Sequence, residues 1–368
     1  MSGNSFGKIF EVMTWGESHG DTVGVVIDGV PADLPIDREE VQKELNRRRP
    51  GKNDVETSRD EKDMVKFLSG VFQGKTLGTP VAMLVENKDV DSEKYEERKD
   101  KPRPGHADLT YRLKHGHVDY RGGGRSSGRE TVGRVAAGAF AKKLLAREGI
   151  EILSHVVKAA GVSLREKPSL EDIREVPETN DMRCADSQVG EEMKDAVLEV
   201  SEEGDSTGGV VEVLSIDVPA GLGEPVFDKL DAELAKSLMS IGAVKGVEIG
   251  SGFDVADKKG SEVNDFYELE DGELKSMSNK AGGILGGISS GENIVARLAV
   301  KPTPSISKAQ KTVDLSTMEE DQMELEGRFD PNVCPRVGPV AESMVAIVLA
   351  DMMMRAGKIN PDKVEDSD

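Results

Sequence analysis

The stretch GGGRSSGRETVGRVAAGAFAKKLLAREG, Gly122–Gly149, carries the clearest local signal in the chain. Val132, Val135, Ala136, Ala139, Phe140, Leu144 and Leu145 recur at helical spacing, so the spacing predicts a helix with a wide apolar face. Ser127 followed by Glu130 reads as a capping box at its start, and Gly149 as its stop. The glycines before it let the backbone approach a ligand, and a helix N-terminus offers free N–H groups and a positive dipole end. With Arg125 and Arg129 beside it, this turn is a candidate anion site. It is not an ATP loop, because Arg129-Glu130 stands where Lys-Ser/Thr is required. GxGxxG is absent too, since Ser127 takes the third glycine position.

Outward from this helix the chain alternates strand and helix patterns. Val12–Val30 reads as strand, Gly-rich turn, then the apolar strand VGVVIDGV. A helix follows, with Asp37 and Glu40 as its capping box and Pro50-Gly51 as its stop. Residues 64–89 read as paired strands with Gly turns. Asp89–Asp108 reads as a long loop, a kind that is often functional. Further strands are expected at Glu151–Lys158, Val210–Val218 and Glu292–Val300, and helices at Asp228–Ser240 and Val340–Arg355, the last closed by Gly357. No Ser- or Pro-rich linker divides the chain. The expectation is one interleaved α/β domain over residues 1–358, with 359–368 a frayed acidic tail.

Composition narrows the functional classes. The chain has 368 residues and a formal net charge of −21, which argues against a general nucleic-acid binder. No apolar run reaches the ~18 residues of a membrane span, the best candidate, Ala341–Met354, being interrupted by Glu342 and Asp351. The start lacks the basic and apolar regions of a secretory signal. Two cysteines without a CxxC partner exclude a zinc ribbon or a disulfide scaffold, and cytoplasmic location is the default. Against the acidic background stand two basic clusters: Arg47-Arg48-Arg49, and Lys101–Arg129 with only Asp108 and Asp119 as acids. Their alternatives are a solvated basic face and a site for a small anion.

The remaining candidates lie in loops. His19 in GESHG and His106 in RPGHAD are flanked by Gly or Pro, where an imidazole can serve as an acid near neutral pH or as a structural hydrogen-bonder. His115 and His117 sit at strand spacing without a third metal ligand, and His155 reads as structural. In GRFDPNVCPR, Asp330-Pro331 forms a rigid turn that can present a carboxylate near Arg328 and Arg336, or simply precede a helix. In KPTPSI, Lys301 with Thr303 and Ser305 suits a phosphate. Cys334 reads as a small buried hydrophobe.

Taken together and in order, GESHG, NRRRPG, RPGHAD, YRGGGRSSGRET, GDSTGG, Val218–Asp254, AGGILGGISSG, KPTPSI and GRFDP resemble the chorismate synthase family over nearly the whole chain. The resemblance implies an α/β fold with helices sandwiched between antiparallel sheets, in a homotetramer. It implies elimination of phosphate from 5-enolpyruvylshikimate 3-phosphate to give chorismate, the last common step of the shikimate pathway to the aromatic amino acids. It implies reduced FMN as the cofactor, with NADPH as a candidate reductant and no metal. It makes His19 and His106 the catalytic histidines and Asp330 the carboxylate that handles the flavin N5 proton. Arg125, Ser126, Ser127, Gly242, Ala243, Gly286, Lys301, Pro302, Thr303, Pro304, Ser305 and Arg328 match FMN-contacting positions. Arg48, Arg103 and Arg129 match arginines that hold substrate or NADP phosphates and carboxylates. Three positions depart from the family pattern: Asp54 for an Arg, Phe329 for a His, and Gly242 for an Asn. A non-catalytic flavin- or anion-binding protein on the same scaffold is one alternative, countered by the retention of His19, His106 and Asp330. An NADPH-dependent flavin reductase is the other, and no Rossmann fingerprint supports it.

Overall fold

The structure is a computed structural model and describes residues 3–51, 55–57, 62–88, 93–325, 327 and 329–364. The first sheet holds β1 (Ser5–Phe6), β2 (Glu11–Trp15), β3 (Thr22–Asp28), β4 (Val65–Ser69) and β5 (Val81–Glu86), in the order β1-β2-β3-β5-β4. The second holds β6 (Glu151–Ala159), β7 (Val162–Ser163), β8 (Gly209–Ile216), β9 (Val244–Ile249) and β10 (Ile294–Val300), in the order β9-β10-β8-β6-β7. Every pairing in both sheets is antiparallel. Alternation decides their faces: Val23, Val25 and Ile27 of β3 and Val81, Met83 and Val85 of β5 are buried, as are Ile294, Ala296, Leu298 and Val300 of β10.

Between the sheets lie α1 (Arg38–Arg48), α3 (Thr131–Arg147), α5 (Leu230–Met239) and α6 (Cys334–Arg355), while α2 (Asp108–His115) and α4 (Ser187–Glu202) lie outside that layer. α3 packs on β2, β3 and β5, and α6 packs on β6 and β8, so the α3–α6 pair joins the two sheets. This is the helix layer sandwiched between antiparallel sheets that the resemblance implied. α3 is buried nearly all round, which is why its apolar positions outnumber a single stripe. Gly138 lets α3 and α6 approach closely: a Cβ there would stand 2.3 Å from that of Ser343. Gly24 admits the indole of Trp15, its cross-strand partner, at a spot that a Cβ would fill.

Several expectations are corrected. The capping box at Asp37 and Glu40 is present, with Glu40 N to Asp37 Oδ1 at 2.9 Å and Asp37 N to Glu40 Oε2 at 3.1 Å. The one at Ser127 and Glu130 is not. Ser127 Oγ accepts from Arg129 N at 3.2 Å and caps a 3-10 turn, Gly128–Glu130, and the Glu130 carboxylate is taken by Thr14 and Arg134. α6 begins at Cys334 and not Val340, because Pro335 sits in the first turn, where a missing N–H costs nothing. α6 is also long and apolar enough by composition to cross a membrane, but its apolar window is fully buried inside the protein, where Glu342 is paired. Asp89–Asp108 is not all loop: of its described part, Glu93–Glu96 is a helical turn and Asp108 opens α2. His115 is the last residue of α2, so the strand spacing of His115 and His117 does not hold. Residues 359–364 are not frayed. Ile359 is buried, Ala32 N donates to Asp362 O at 3.0 Å, and Val364 N to Ala32 O at 2.9 Å. Residues 365–368 lie outside the described residues.

Candidate active site

One cavity of about 790 Å³ opens where the N-terminal strand, the Gly-rich turn, the end of α5, the KPTPSI segment and the start of α6 meet. A smaller chamber of about 280 Å³ adjoins it, and Ala107, Tyr111, Arg125 and Ser126 line both. Pockets of several hundred Å³ with few convergent polar groups are the usual form of small-molecule sites.

Asp330 lines the large cavity from the turn before α6. Arg336 Nη1 donates to both of its oxygens at 2.9 Å, and Thr57 N donates to Oδ1 at 3.0 Å. Burial works against the Arg336 charge, but Asp330, then Glu56 and Asp63, hold its pKa above the ordinary value. The carboxylate is thus clamped by the rigid start of the core helix, with Oδ2 engaged, among the described residues, by the arginine alone.

His106 lines the same cavity, its Nε2 2.8 Å from Ser305 Oγ. Burial, then the neighbouring Arg103 guanidinium, push its pKa from 6.5 down to about 4, with Lys301 adding and Asp108 opposing. Arg103 is itself bidentate to Asp108, at 2.8 and 2.7 Å, and donates to Gly122 O at 2.6 Å. Lys301 Nζ donates to Gly105 O at 2.8 Å, and burial, then Lys245, lower its pKa.

Among the described residues, Arg125 and Lys301 meet no carboxylate. Arg125 donates to Gly16 O at 3.2 Å, Asn4 Oδ1 at 3.3 Å, Thr14 O at 3.0 Å and Thr14 Oγ1 at 2.9 Å, all neutral. Other cavity cations are paired: Arg48 with Asp63, Arg134 with Glu130, Arg336 with Asp330. Thr303 Oγ1 is buried at the cavity wall without a hydrogen-bond partner among the described residues. Two unbalanced cations and an unsatisfied buried hydroxyl fit a polyanionic ligand such as a flavin phosphate.

The predicted residues divide as follows. Arg48, His106, Arg125, Ser126, Ser127, Gly242, Ala243, Lys301, Thr303, Pro304 and Asp330 line the large cavity. Ser305 stands behind His106, and Pro302 lies on the same segment without lining the cavity. Arg103 lines the small chamber. His19 stands beside it, its ring against the Cα of Gly122 and 5.0 Å from the Tyr95 ring. Arg129 is not brought to either cavity: it is 9% exposed, ion-paired with Asp63, and bonded to Asn87 Oδ1 at 2.8 Å. Gly286 is likewise apart, in the turn of the hairpin Ile284–Leu285/Ile288–Ser289. Arg328 and Asp54 lie outside the described residues. Gly242 leaves open space where a Cβ would point, and Phe329 folds its ring over Gly327. His155, in β6, is buried with Nε2 3.2 Å from Glu212 Oε1, and the buried Cys334 thiol is pushed up to about 12 by desolvation.

Reading by motif missed Asn4, Phe6, Thr14, Glu130, Arg134 and Lys236, which also line the large cavity. Glu130 and Arg134 carried a usable signal, an i,i+4 pair of opposite charge on a predicted helix face. The others come from the N-terminal turn, strands or a distant helix and have none.

The chain matches the family model described as chorismate synthase over residues 10–354. It is 57% identical over 361 residues to the chorismate synthase of Methanosarcina mazei, covering 98% of this chain and 99% of that protein. Against the chorismate synthase of Methanopyrus kandleri the identity is 54% over 369 residues, with 98% and 95% covered. A crystal structure of chorismate synthase superposes with a TM-score of 0.76 at 33% identity, covering 97% of this chain and 95% of that one. The fold and cavity define a small-molecule enzyme. The chain belongs to the chorismate synthase family, whose members are carbon–oxygen lyases.

Proposed function

We propose that this chain converts 5-enolpyruvylshikimate 3-phosphate to chorismate by 1,4-anti elimination of phosphate, with reduced FMN as cofactor. The observation that carries this reading is the meeting of His106, Asp330 and the unbalanced cations Arg125 and Lys301 in one cavity of the right size, in a chain of net charge −21. Both reaction partners are anions, and an acidic protein must concentrate cations locally to hold them.

When bound, reduced flavin supplies electron density to the allylic centre and accepts the hydrogen, so the protein's task is to orient and to move protons. Arg125, Ser126, Ser127, Lys301 and Thr303 would hold the cofactor, with Gly242 and Ala243 forming the bare wall against it. Arg48 and Arg103 would hold substrate anions. Asp330, oriented by Arg336 and Thr57, would hold the proton at flavin N5 through the oxygen left freest, Oδ2. His19 and His106 divide the remaining proton work, one at the departing phosphate and one towards the flavin.

Burial first, then Arg103 and Lys301, disfavour the His106 imidazolium, and a phosphate beside those two cations would oppose their part of the shift and favour the protonated form that a proton donor needs. NADPH as reductant, a homotetramer and a cytoplasmic location complete the reading. Anaerobic assay with photoreduced FMN and substrate tests the elimination, and NADPH with oxidised FMN tests self-reduction. Flavin binding without turnover in the first assay would leave only a binding protein.

A further inference from the structure

We propose that Asn4, carried into the cavity by the N-terminal strand, is a positioning residue that aims Arg125 at the ligand while leaving its charge unneutralised. This rests on the reading of the cavity as the FMN site.

The placement follows from strand pairing. Asn4 O accepts from Thr14 N at 3.1 Å, and the adjacent pair is Ser5 with Met13, so Asn4 is held against Thr14. The Asn4 side chain, the Thr14 carbonyl and hydroxyl, and the Gly16 carbonyl then converge on one guanidinium. The nearest carboxylate in this network is Glu130, one hydroxyl away: its Oε1 accepts from Thr14 Oγ1 at 2.6 Å and its Oε2 from Arg134 at 2.8 Å. Thr14 therefore separates Arg125 from Glu130, and Glu130 is spent on Arg134. Gly3–Phe6 line the cavity as a group, so the strand is part of its wall. Its root is fixed by Asp351 on α6, whose Oδ1 accepts from Lys8, Ile9 and Phe10 N at 3.0, 2.7 and 3.1 Å.

The chemistry at position 4 is decisive. An amide oxygen orients a guanidinium, whereas a carboxylate of the same shape pairs with it and removes the charge a ligand phosphate needs. Orientation and neutralisation are separable because Asn and Asp are isosteric.

The experiment compares Asn4→Asp, Asn4→Ala and Arg125→Gln in the full chain, measuring oxidised FMN affinity by flavin fluorescence and the melting temperature without ligand. Asn4→Asp is expected to lose about tenfold in affinity or more, the worth of one charge-assisted contact, with its melting temperature at or above the parent's. Asn4→Ala is expected to lose only about two- to threefold. Affinity within twofold of the parent in Asn4→Asp overturns the inference, as does a melting temperature that falls in step with affinity, which is the signature of a structural role. Arg125→Gln separates the two levels. If it also binds FMN normally, the reading of the cavity fails and takes the inference with it. If it binds poorly while Asn4→Asp binds normally, the inference alone fails.

Discussion

Two groups of charged side chains, one within the helix layer and one at the cavity, are built differently. Around Glu342, in the middle of α6, charge is balanced. Arg47 is bidentate to it at 2.6 and 2.8 Å, Lys142 Nζ lies at 2.5 Å and Ser154 Oγ at 2.6 Å. Arg47, Lys142 and Arg183 face Glu44, Glu178 and Glu342, so every cation meets a carboxylate. Burial alone would raise the Glu342 pKa, yet the Arg47 and Lys142 charges hold it far below the carboxylate range. At the cavity, Arg125 and Lys301 have, among the described residues, neutral acceptors and no carboxylate. The difference teaches that residue type does not separate a structural charge from a binding one. Balance separates these two groups: the Glu342 network is satisfied within the fold, whereas Arg125 and Lys301 leave an excess of positive charge for a ligand.

The comparison breaks if the cavity groups prove to be structural. His106→Ala carries the largest expected effect, a fall in kcat of about 10²–10⁴-fold with the fold intact, measured anaerobically with reduced FMN. Near-normal turnover would remove His106 from the chemistry, and the same assay applies to His19. Asp330→Asn should lower kcat by a similar factor while FMN and substrate still bind, the mark of an interaction made mainly in the transition state. A turn-forming role would leave the rate alone. The Arg336 pair means that stability falls in either case, by about 1–3 kcal/mol, so rate and not melting temperature decides.

Glu342→Ala should show the reverse pattern. It removes one of the two carboxylates that Arg47 and Lys142 share, leaving them Glu44, and should cost about 3–5 kcal/mol in urea unfolding, with FMN affinity unchanged in the folded fraction. A cost under about 1 kcal/mol would mean the network is dispensable. Ser127→Ala with Lys301→Ala should weaken FMN binding by roughly tenfold or more, as expected for one charge-assisted contact plus a cap. Unchanged affinity would remove this wall as the cofactor site.

The smallest effect concerns protons. The folded pKa of His106, about 4, lies below the unfolded value of about 6.5, so the unfolded chain binds the extra proton between them. This group therefore lowers stability progressively as pH falls from about 6.5 to 4 and has no effect above that window. Anion binding should reverse the shift, and calorimetry near pH 6 in buffers of different ionisation enthalpy should register uptake of up to about one proton, lost in His106→Ala. No buffer dependence would mean that the phosphate does not reach His106.

Much of the cavity was legible from short motifs. Gly-rich turns, loop histidines and the Asp-Pro turn each carry a local backbone signal, and eleven predicted residues line one space. Arg129 lies apart from both cavities because Asp63, a carboxylate distant in sequence of which its basic neighbours say nothing, pairs with it. The Ser127 capping box failed for a related reason: Thr14 and Arg134 compete for Glu130 more effectively than the backbone does. The ordered segment 359–364 was invisible because its partner is Ala32, at the other end of the chain.

The sequence by itself determined the elements whose causes are local. Val-rich alternation sets the strands, a 3.6-residue apolar period sets α3, and Asp37 with Glu40 sets the start of α1. It also determined, through its ordered motifs, the family. Only the tertiary structure decided which charges are balanced. An ion pair joins residues far apart in the chain, and its partner is chosen by how two sheets close on a helix layer, so Arg47 became a strut and Arg125 a cation that, among the described residues, meets no carboxylate. Burial then fixes what each choice is worth, because charges interact strongly only where water is excluded.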